Sequence, residues 1–469
     1  MPALNRRSFL AASSAFAASP LLALDPAFGA VPASGEVDVV IVGAGAAGIA
    51  AARRVAAAGR RYALIEAAER IGGRCVTDTR SLGAPFDRGA RALYAPDSNP
   101  LVPLAARAGF ETQAGPRLQK LRVSRRFARE GEIEDFLASV FRSRRAIADA
   151  VRGKADFAAA RGLPKDLLED WRPTVEFVLG PYGSGRDLAA LSAAELARAA
   201  ERDSMVYCRR GLGTLLAKLG EPLTVQLATP ATRIEWLKTL EVETARGRLR
   251  ARAVIVTASM SVLAAGKIKF TPELPKSHLD AFARLKLGSY DHIALELPGN
   301  PLGLGTDDLV FEKASGPRTA AVLANSGGST LCVIDVGGSF GADLARQGEA
   351  AMTDFAVSWL ADLYGSDVKA AVKRRAATRW NEAPWALGAM AAPAPGGAEA
   401  RRVLTAPVRE QMWFAGDAIH DTLWGTIGGA WESGTRAAEA ALRKIGALKD
   451  ERDDSRKPPP RRQKRSRER

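Results

Sequence analysis

The sequence predicts an α/β protein: a Rossmann-type dinucleotide-binding domain carrying GxGxxG, interleaved with an α+β domain that would hold a substrate. Three observations predict it. A β-branched run ends in glycines at GxGxxG spacing and passes into an Ala-rich helix. A second apolar run follows and stops at an acid. Further strand-like runs return much later in the chain, with long insertions between them.

Residues 37–42 (Val-Asp-Val-Val-Ile-Val) read as a buried parallel strand. Gly43, Gly45 and Gly48 follow at the dinucleotide spacing. Gly43 permits the tight turn, Gly45 lets the backbone approach a pyrophosphate, and Gly48 lets the next helix pack on the strand. Residues 49–58 read as that helix, ended by Gly59, and its N-terminus stabilises phosphate charge. Residues 62–65 form the second strand. Glu66 follows, 23 residues after Gly43, where a carboxylate accepts ribose hydroxyls.

Composition excludes several classes. The 469 residues are 47% apolar and 25% charged, long enough for two domains of ordinary size. Of the net charge of +15, residues 455–469 supply +7, from eight basic side chains and one acid. With three prolines and little apolar content, residues 448–469 read as a disordered basic tail. The body carries no nucleic-acid-binding motif, so no nucleic-acid partner is expected. Cys75, Cys208 and Cys332 are odd in number and form no C-x-x-C pair, which gives no disulfide framework. His278, His292 and His420 lie far apart, so no metal is expected. At the start, Arg6-Arg7 precedes an apolar run over residues 9–24. This is the plan of a twin-arginine signal over residues 1–33, read by the twin-arginine export machinery and leading to the periplasm.

The residues after Glu66 point to one cofactor. Arg70-Ile71-Gly72-Gly73-Arg74 follows at once, then Phe86-Asp87-Arg88-Gly89-Ala90. Near the far end stand Trp413-Phe414-Ala415-Gly416-Asp417, Gly425-Thr426-Ile427-Gly428-Gly429-Ala430 and Ser433-Gly434. These segments resemble the flavin monoamine oxidase family (R-x-G-G-R, F-D-x-G-A, F-A-G-E and G-T-V-x-G-A…S-G). The resemblance implies an amine-oxidase-like fold that binds FAD. It places FAD against Gly43, Gly45, Ala46, Ala47, Gly48, Glu66 and Ala67. It adds Gly72, Gly73 and Arg74, with Arg74 reaching the flavin or the pyrophosphate, and Gly89, Ala90 and Arg91 beside the ring. Ala231, Gly416, Asp417, Gly425, Thr426 and Ile427 complete the set. Asp417 replaces the family's glutamate and would still reach a ribityl or phosphate-side group. Ala389 stands where covalent members carry a flavin-linking cysteine, so FAD is expected to be noncovalent.

The resemblance also divides the chain. Residues 36–90, 207–266 and 401–447 would build the FAD domain, with strands at 224–227 and 252–257. Residues 91–206 and 267–400 would build the substrate domain, helical over 137–200 and stranded over 290–340.

Two departures from the family concern the chemistry. His292 stands where the family's lysine holds a water against the flavin, and an imidazole there could hold water or move a proton. Met390 replaces one aromatic of the family's substrate cage. Thr426 forms the opposite wall, Trp424 lies close by in sequence, and Trp380 and Trp385 are candidate lining residues.

The function expected is a periplasmic FAD-dependent oxidation of a small-molecule amine. Hydride would pass from the amine's α-carbon to flavin N5, and the imine would then hydrolyse. O2, a cytochrome or a quinone would accept the electrons. A desaturase of carotenoid or porphyrinogen type, and a catalytically degraded FAD-binding assembly protein, are the alternatives.

Overall fold

The computed structural model describes residues 35–448 apart from 117, 118, 168 and 201. The expected export signal and nearly all of the expected basic tail therefore lie outside the described residues.

The dinucleotide unit folds as its pattern dictates. β1 (Gly35–Val42) runs parallel to β2 (Tyr62–Ile65) in register from Val39–Tyr62 to Val42–Ile65, with α1 (Ala46–Ala57) between them. On its other side β1 pairs along its length with the strand Gly247–Val256, also in parallel. That strand then divides its far edge. Its first half pairs antiparallel with Glu241–Thr244, and its last three residues pair parallel with Met412–Phe414. Met412–Phe414 thus enters the same sheet as β1, although far from it in sequence. The last described helix, Ile427–Lys444, lies against α1 so closely that a Cβ on Gly434 would meet the Ala47 carbonyl oxygen at 2.0 Å.

A second, seven-stranded sheet carries the other domain. Its order is Arg374–Ala377, Tyr290–Glu296, Leu331–Gly337, Ala321–Ala324, Asp308–Glu312, Gln119–Val123, Arg126–Phe127. Its residues alternate between two cores, as the period of a strand requires. Ala294, Leu309, Phe311 and Val333 pack with Phe136, Trp171 and Trp424. Ile293, Leu295, Val310 and Ile334 pack under the helices Gly338–Arg346 and Glu349–Tyr364.

Three expectations are corrected. The helical reading of 137–200 holds for Glu130–Val151 alone as a long helix. Gly153 and Pro164 then interrupt the chain, which continues as short turns and helices, with Pro181 inside the π-turn Val178–Tyr182. Strand Lys269–Thr271, placed by sequence in the substrate domain, is an edge strand of the nucleotide sheet, parallel to Ala231–Glu235. Strand Met205–Cys208 stands apart from that sheet, between Ala92–Tyr94 and Thr112–Ala114.

Candidate active site

The glycine turn is closed by sterics on the protein side and open on the other. Gly43 has φ +103°, and a Cβ there would lie 2.6 Å from Thr257 Oγ1. A Cβ on Gly48 would lie 1.8 Å from the Gly43 carbonyl oxygen. The fold itself requires these two glycines. Gly45 differs. Its backbone is extended (φ −77°, ψ −173°), and a Cβ would meet nothing nearer than Gly73 Cα at 4.0 Å. No atom of the described residues claims that space, which faces the N-terminus of α1, where no side chain caps the helix. A pyrophosphate suits it in shape and charge. Glu66 closes the turn from the end of β2. Its Oε2 accepts from Ala44 N at 2.6 Å and its Oε1 from Ala68 N at 2.8 Å, leaving lone pairs for ribose hydroxyls.

The resemblance assigns Arg74 to the flavin or pyrophosphate and Asp417 to the ribityl side. In the structure the two side chains bind each other. Arg74 Nη1 donates to Asp417 Oδ2 at 2.9 Å and Nη2 to Oδ1 at 2.7 Å, and Nη1 also donates to the Ala389 carbonyl. Ala391 N adds a third bond to Asp417. Burial would raise the Asp417 carboxyl, but Arg74 and these bonds hold it below the usual range. The pair fastens the R-x-G-G-R loop to the far end of the chain.

His292 requires a similar correction. Its Nδ1 lies 2.6 Å from Asp335 Oδ1, and its Nε2 lies 2.9 Å from the Gly89 carbonyl oxygen. Both ring nitrogens therefore face oxygen acceptors, and neither is left to hold a water at the flavin. Asp335 is wholly buried and is also forked by Arg91, with Nη1 to Oδ1 at 2.9 Å and Nη2 to Oδ2 at 2.5 Å. Burial pushes the Asp335 carboxyl up, but Arg91 and His292 outweigh it and hold it at about 2. The row Arg91–Asp335–His292 thus pins the Gly89 carbonyl, so His292 positions the loop expected beside the flavin.

Around these groups lies a cavity of about 1390 Å³. A single small-molecule site ordinarily occupies roughly 300–1,000 Å³, so this one has room for a cofactor and a substrate together. Every residue expected at the cofactor lines it except Gly48, whose part is helix packing. His292, Met390, Trp424 and Thr426 line it too. Thr426 caps the N-terminus of the helix Ile427–Lys444: its Oγ1 accepts from Gly429 N at 3.0 Å. Trp380 is buried, its Nε1 donating to the Arg88 carbonyl, while Trp385 is half-exposed at the rim under Lys267.

Sequence reasoning missed the chamber beyond. Tyr94, Tyr182, Tyr207 and Tyr290 line it, with Arg202 and Met205. Burial raises the Tyr182, Tyr207 and Tyr290 hydroxyls, which stay protonated. Tyr290 alone left a signal. It stands two residues before His292 on one strand, on the same face, and the rings lie 5.5 Å apart.

The profile of the flavin-containing amine oxidoreductase family matches residues 46–442. The chain belongs to this family. This flavin-containing amine oxidoreductase is 25% identical over 430 residues to mouse lysine-specific histone demethylase 1B, covering 85% of this chain and 52% of that protein. It is 24% identical over 447 residues to the probable polyamine oxidase 4 of Arabidopsis thaliana, covering 87% and 88%. The chain spans about half the length of the histone demethylases it resembles. Among solved structures, cyclohexylamine oxidase from Brevibacterium oxydans IH-35A shares the fold at a TM-score of 0.74 with 21% identity, over 88% of this chain and all of that one. Putrescine oxidase bound to putrescine also superposes at 0.74, with 20% identity over 87% of this chain and 100% of that chain. The cofactor of this oxidoreductase is FAD, bound noncovalently. Ala389, at the cavity wall, has no nucleophile to offer.

Proposed function

We propose that this protein oxidises a small-molecule amine with its FAD. One observation carries the proposal: a single cavity runs from the glycine cradle, past Gly89, Met390 and Thr426, into a chamber walled by Trp424 and four tyrosines. The bound flavin would supply a hydride acceptor for the carbon beside the amine. The chain's own residues do the rest. The aromatic walls exclude water and favour the neutral amine. The Arg91–Asp335–His292 row holds the Gly89 loop in place, and Thr426 begins the helix Ile427–Lys444, whose positive pole faces the cavity and would stabilise negative charge on the cofactor.

Related proteins support the reading, since polyamine, putrescine and cyclohexylamine oxidases share the family or the fold. The test is anaerobic mixing of the holoprotein with primary amines, diamines, polyamines and amino acids while the flavin absorbance is followed. Bleaching by one class supports amine oxidation, and admitting air then separates O2 from a cytochrome or quinone acceptor. A flavin that dithionite bleaches and no amine does would overturn the proposal and favour the desaturase reading.

We also propose export by the twin-arginine route to the periplasm, on the strength of Arg6-Arg7 and the apolar run after it. Cell fractionation of the wild type and an Arg6→Lys, Arg7→Lys variant tests it. Equal periplasmic recovery of both would refute the route.

A further inference from the structure

Among the described residues, the chamber contains a cation that no acid pairs. Arg202 lies just before the strand Met205–Cys208 and lines the cavity. Its guanidinium stacks on Trp424 at 4.8 Å and lies 5.8 Å from the Tyr94 ring centroid. Nη1 donates to the Gly183 carbonyl at 3.0 Å and Nη2 to the Trp424 carbonyl at 2.6 Å, while Nε has no partner. Arg74, Arg91 and Arg401 are matched by acids, Asp417, Asp335 and Glu195, whereas buried Arg122, which does not line the cavity, is held by backbone carbonyls and aromatic rings. Among the described residues Arg202 has no such match. Burial and then the neighbouring Arg144, also on the cavity wall, disfavour its charge. Asp203 lines the cavity but is solvent-exposed.

A guanidinium remains charged inside a protein, and a buried charge left unpaired is costly. Unlike Arg122, Arg202 lines the cavity, with Arg144 beside it on the wall, so an anion entering there can reach it. A diamine or polyamine would instead bring a second cation against Arg202 and Arg144. Two parallel N–H groups of a guanidinium match a carboxylate in shape.

We propose that Arg202 is the carboxylate-binding residue of this site, and that the substrates are amines that carry a carboxylate, amino acids first among them. The substrate class rests on the amine-oxidation reading; the carboxylate site does not.

The experiment uses the full-length holoprotein and matched small molecules. Carboxylates without an amine are butanoate and 3-phenylpropanoate. Amines without a carboxylate are propylamine and 2-phenylethylamine. The amino acids that combine them are 2-aminobutanoate and L-phenylalanine. Calorimetry reads binding of the carboxylates, and anaerobic flavin bleaching reads turnover of the rest. At least one carboxylate should bind. Arg202→Met should weaken it at least ~10-fold, since a hydrogen bond to a charged group is lost, and Arg202→Lys less. At least one amino acid should bleach the flavin at least ~10-fold more efficiently than its amine, and Arg202→Met should narrow that gap. If Arg202 is only a strut, Arg202→Met lowers the melting temperature and weakens acid and amine ligands alike, which overturns the proposal. If the variants fail to fold, the wild type decides: absence of carboxylate binding overturns it. Carboxylate binding lost in Arg202→Met, with no bleaching by any amine or amino acid, sinks amine oxidation and leaves the carboxylate site standing. Bleaching by amines with no binding or turnover of carboxylates does the reverse.

Discussion

Replacing Gly45 by alanine separates what the fold needs from what the cofactor needs. The new methyl would meet no protein atom nearer than Gly73 Cα at 4.0 Å, and the residue's extended backbone suits alanine. The apoprotein should therefore keep its stability or gain up to about 1 kcal/mol through a less flexible unfolded chain. The methyl instead occupies the approach to the N-terminus of α1. Pushing a pyrophosphate off two backbone N–H groups forfeits about 3–6 kcal/mol at roughly 1.5–3 kcal/mol per charge-assisted bond. FAD should bind about 10²- to 10⁴-fold more weakly. Gly48→Ala is the contrast: its methyl would sit 1.8 Å from a backbone oxygen, and the apoprotein itself should lose at least about 3 kcal/mol. Titrating apoprotein with FAD by fluorescence quenching reads the first effect, and apoprotein melting reads the second. Wild-type FAD affinity in Gly45→Ala, or an apoprotein melting several degrees low, would refute the reasoning.

Asp335→Asn breaks a buried charge row and should cost about 3–5 kcal/mol. Asp335 is held at about 2 against an ordinary 3.8, so its ionisation contributes about 2 kcal/mol, present in full above about pH 4 and lost as pH falls toward 2. Urea midpoints at about pH 6 and about pH 3 check this, and equal pH slopes for wild type and variant would contradict it. Asp417→Ala strands Arg74 and the Ala391 N–H, and should lower stability by about 3–5 kcal/mol; an unchanged melting temperature would count against the pairing described. Cys75, Cys208 and Cys332 are buried, and burial pushes their thiols up, to about 12 for Cys208 and about 11 for Cys332. At about pH 8 none should react with a thiol reagent until the protein is unfolded. A fast native thiol would show that one of these sites opens.

Much of the cofactor half was legible because its signals are local. The strand, glycine turn, helix and Glu66 fall within 35–66, and each residue type answers a constraint set by near neighbours. The motif at 70–74 and those after 413 were equally plain, but their partnership was not. Arg74 and Asp417 are opposite charges 343 residues apart, and only the parallel entry of Met412–Phe414 beside Gly247–Val256 brings them together. His292 was singled out, yet its role depends on Asp335, which faces it across the antiparallel pair Tyr290–Glu296 and Leu331–Gly337. The chamber was the least legible. Tyr94, Tyr182, Tyr207 and Tyr290 come from four separate elements, and Arg202 sits in a stretch with no motif. Their chemistry is set by what tertiary packing leaves beside them.

The lateness of the last segment has a consequence for how the protein is made. The cavity is lined by residues from Val42 to Ala430, and the sheet edge beside Val254–Val256 remains unfilled until Met412–Phe414 has been synthesised. A ribosome-bound chain makes the glycine cradle early, yet the Arg74 loop has no Asp417 to fasten it until 343 residues more have been added. Firm FAD capture is thus expected to wait on the synthesis of residues 412–444. A nascent chain arrested before residue 412 should let flavin wash away, and one released after residue 444 should retain it.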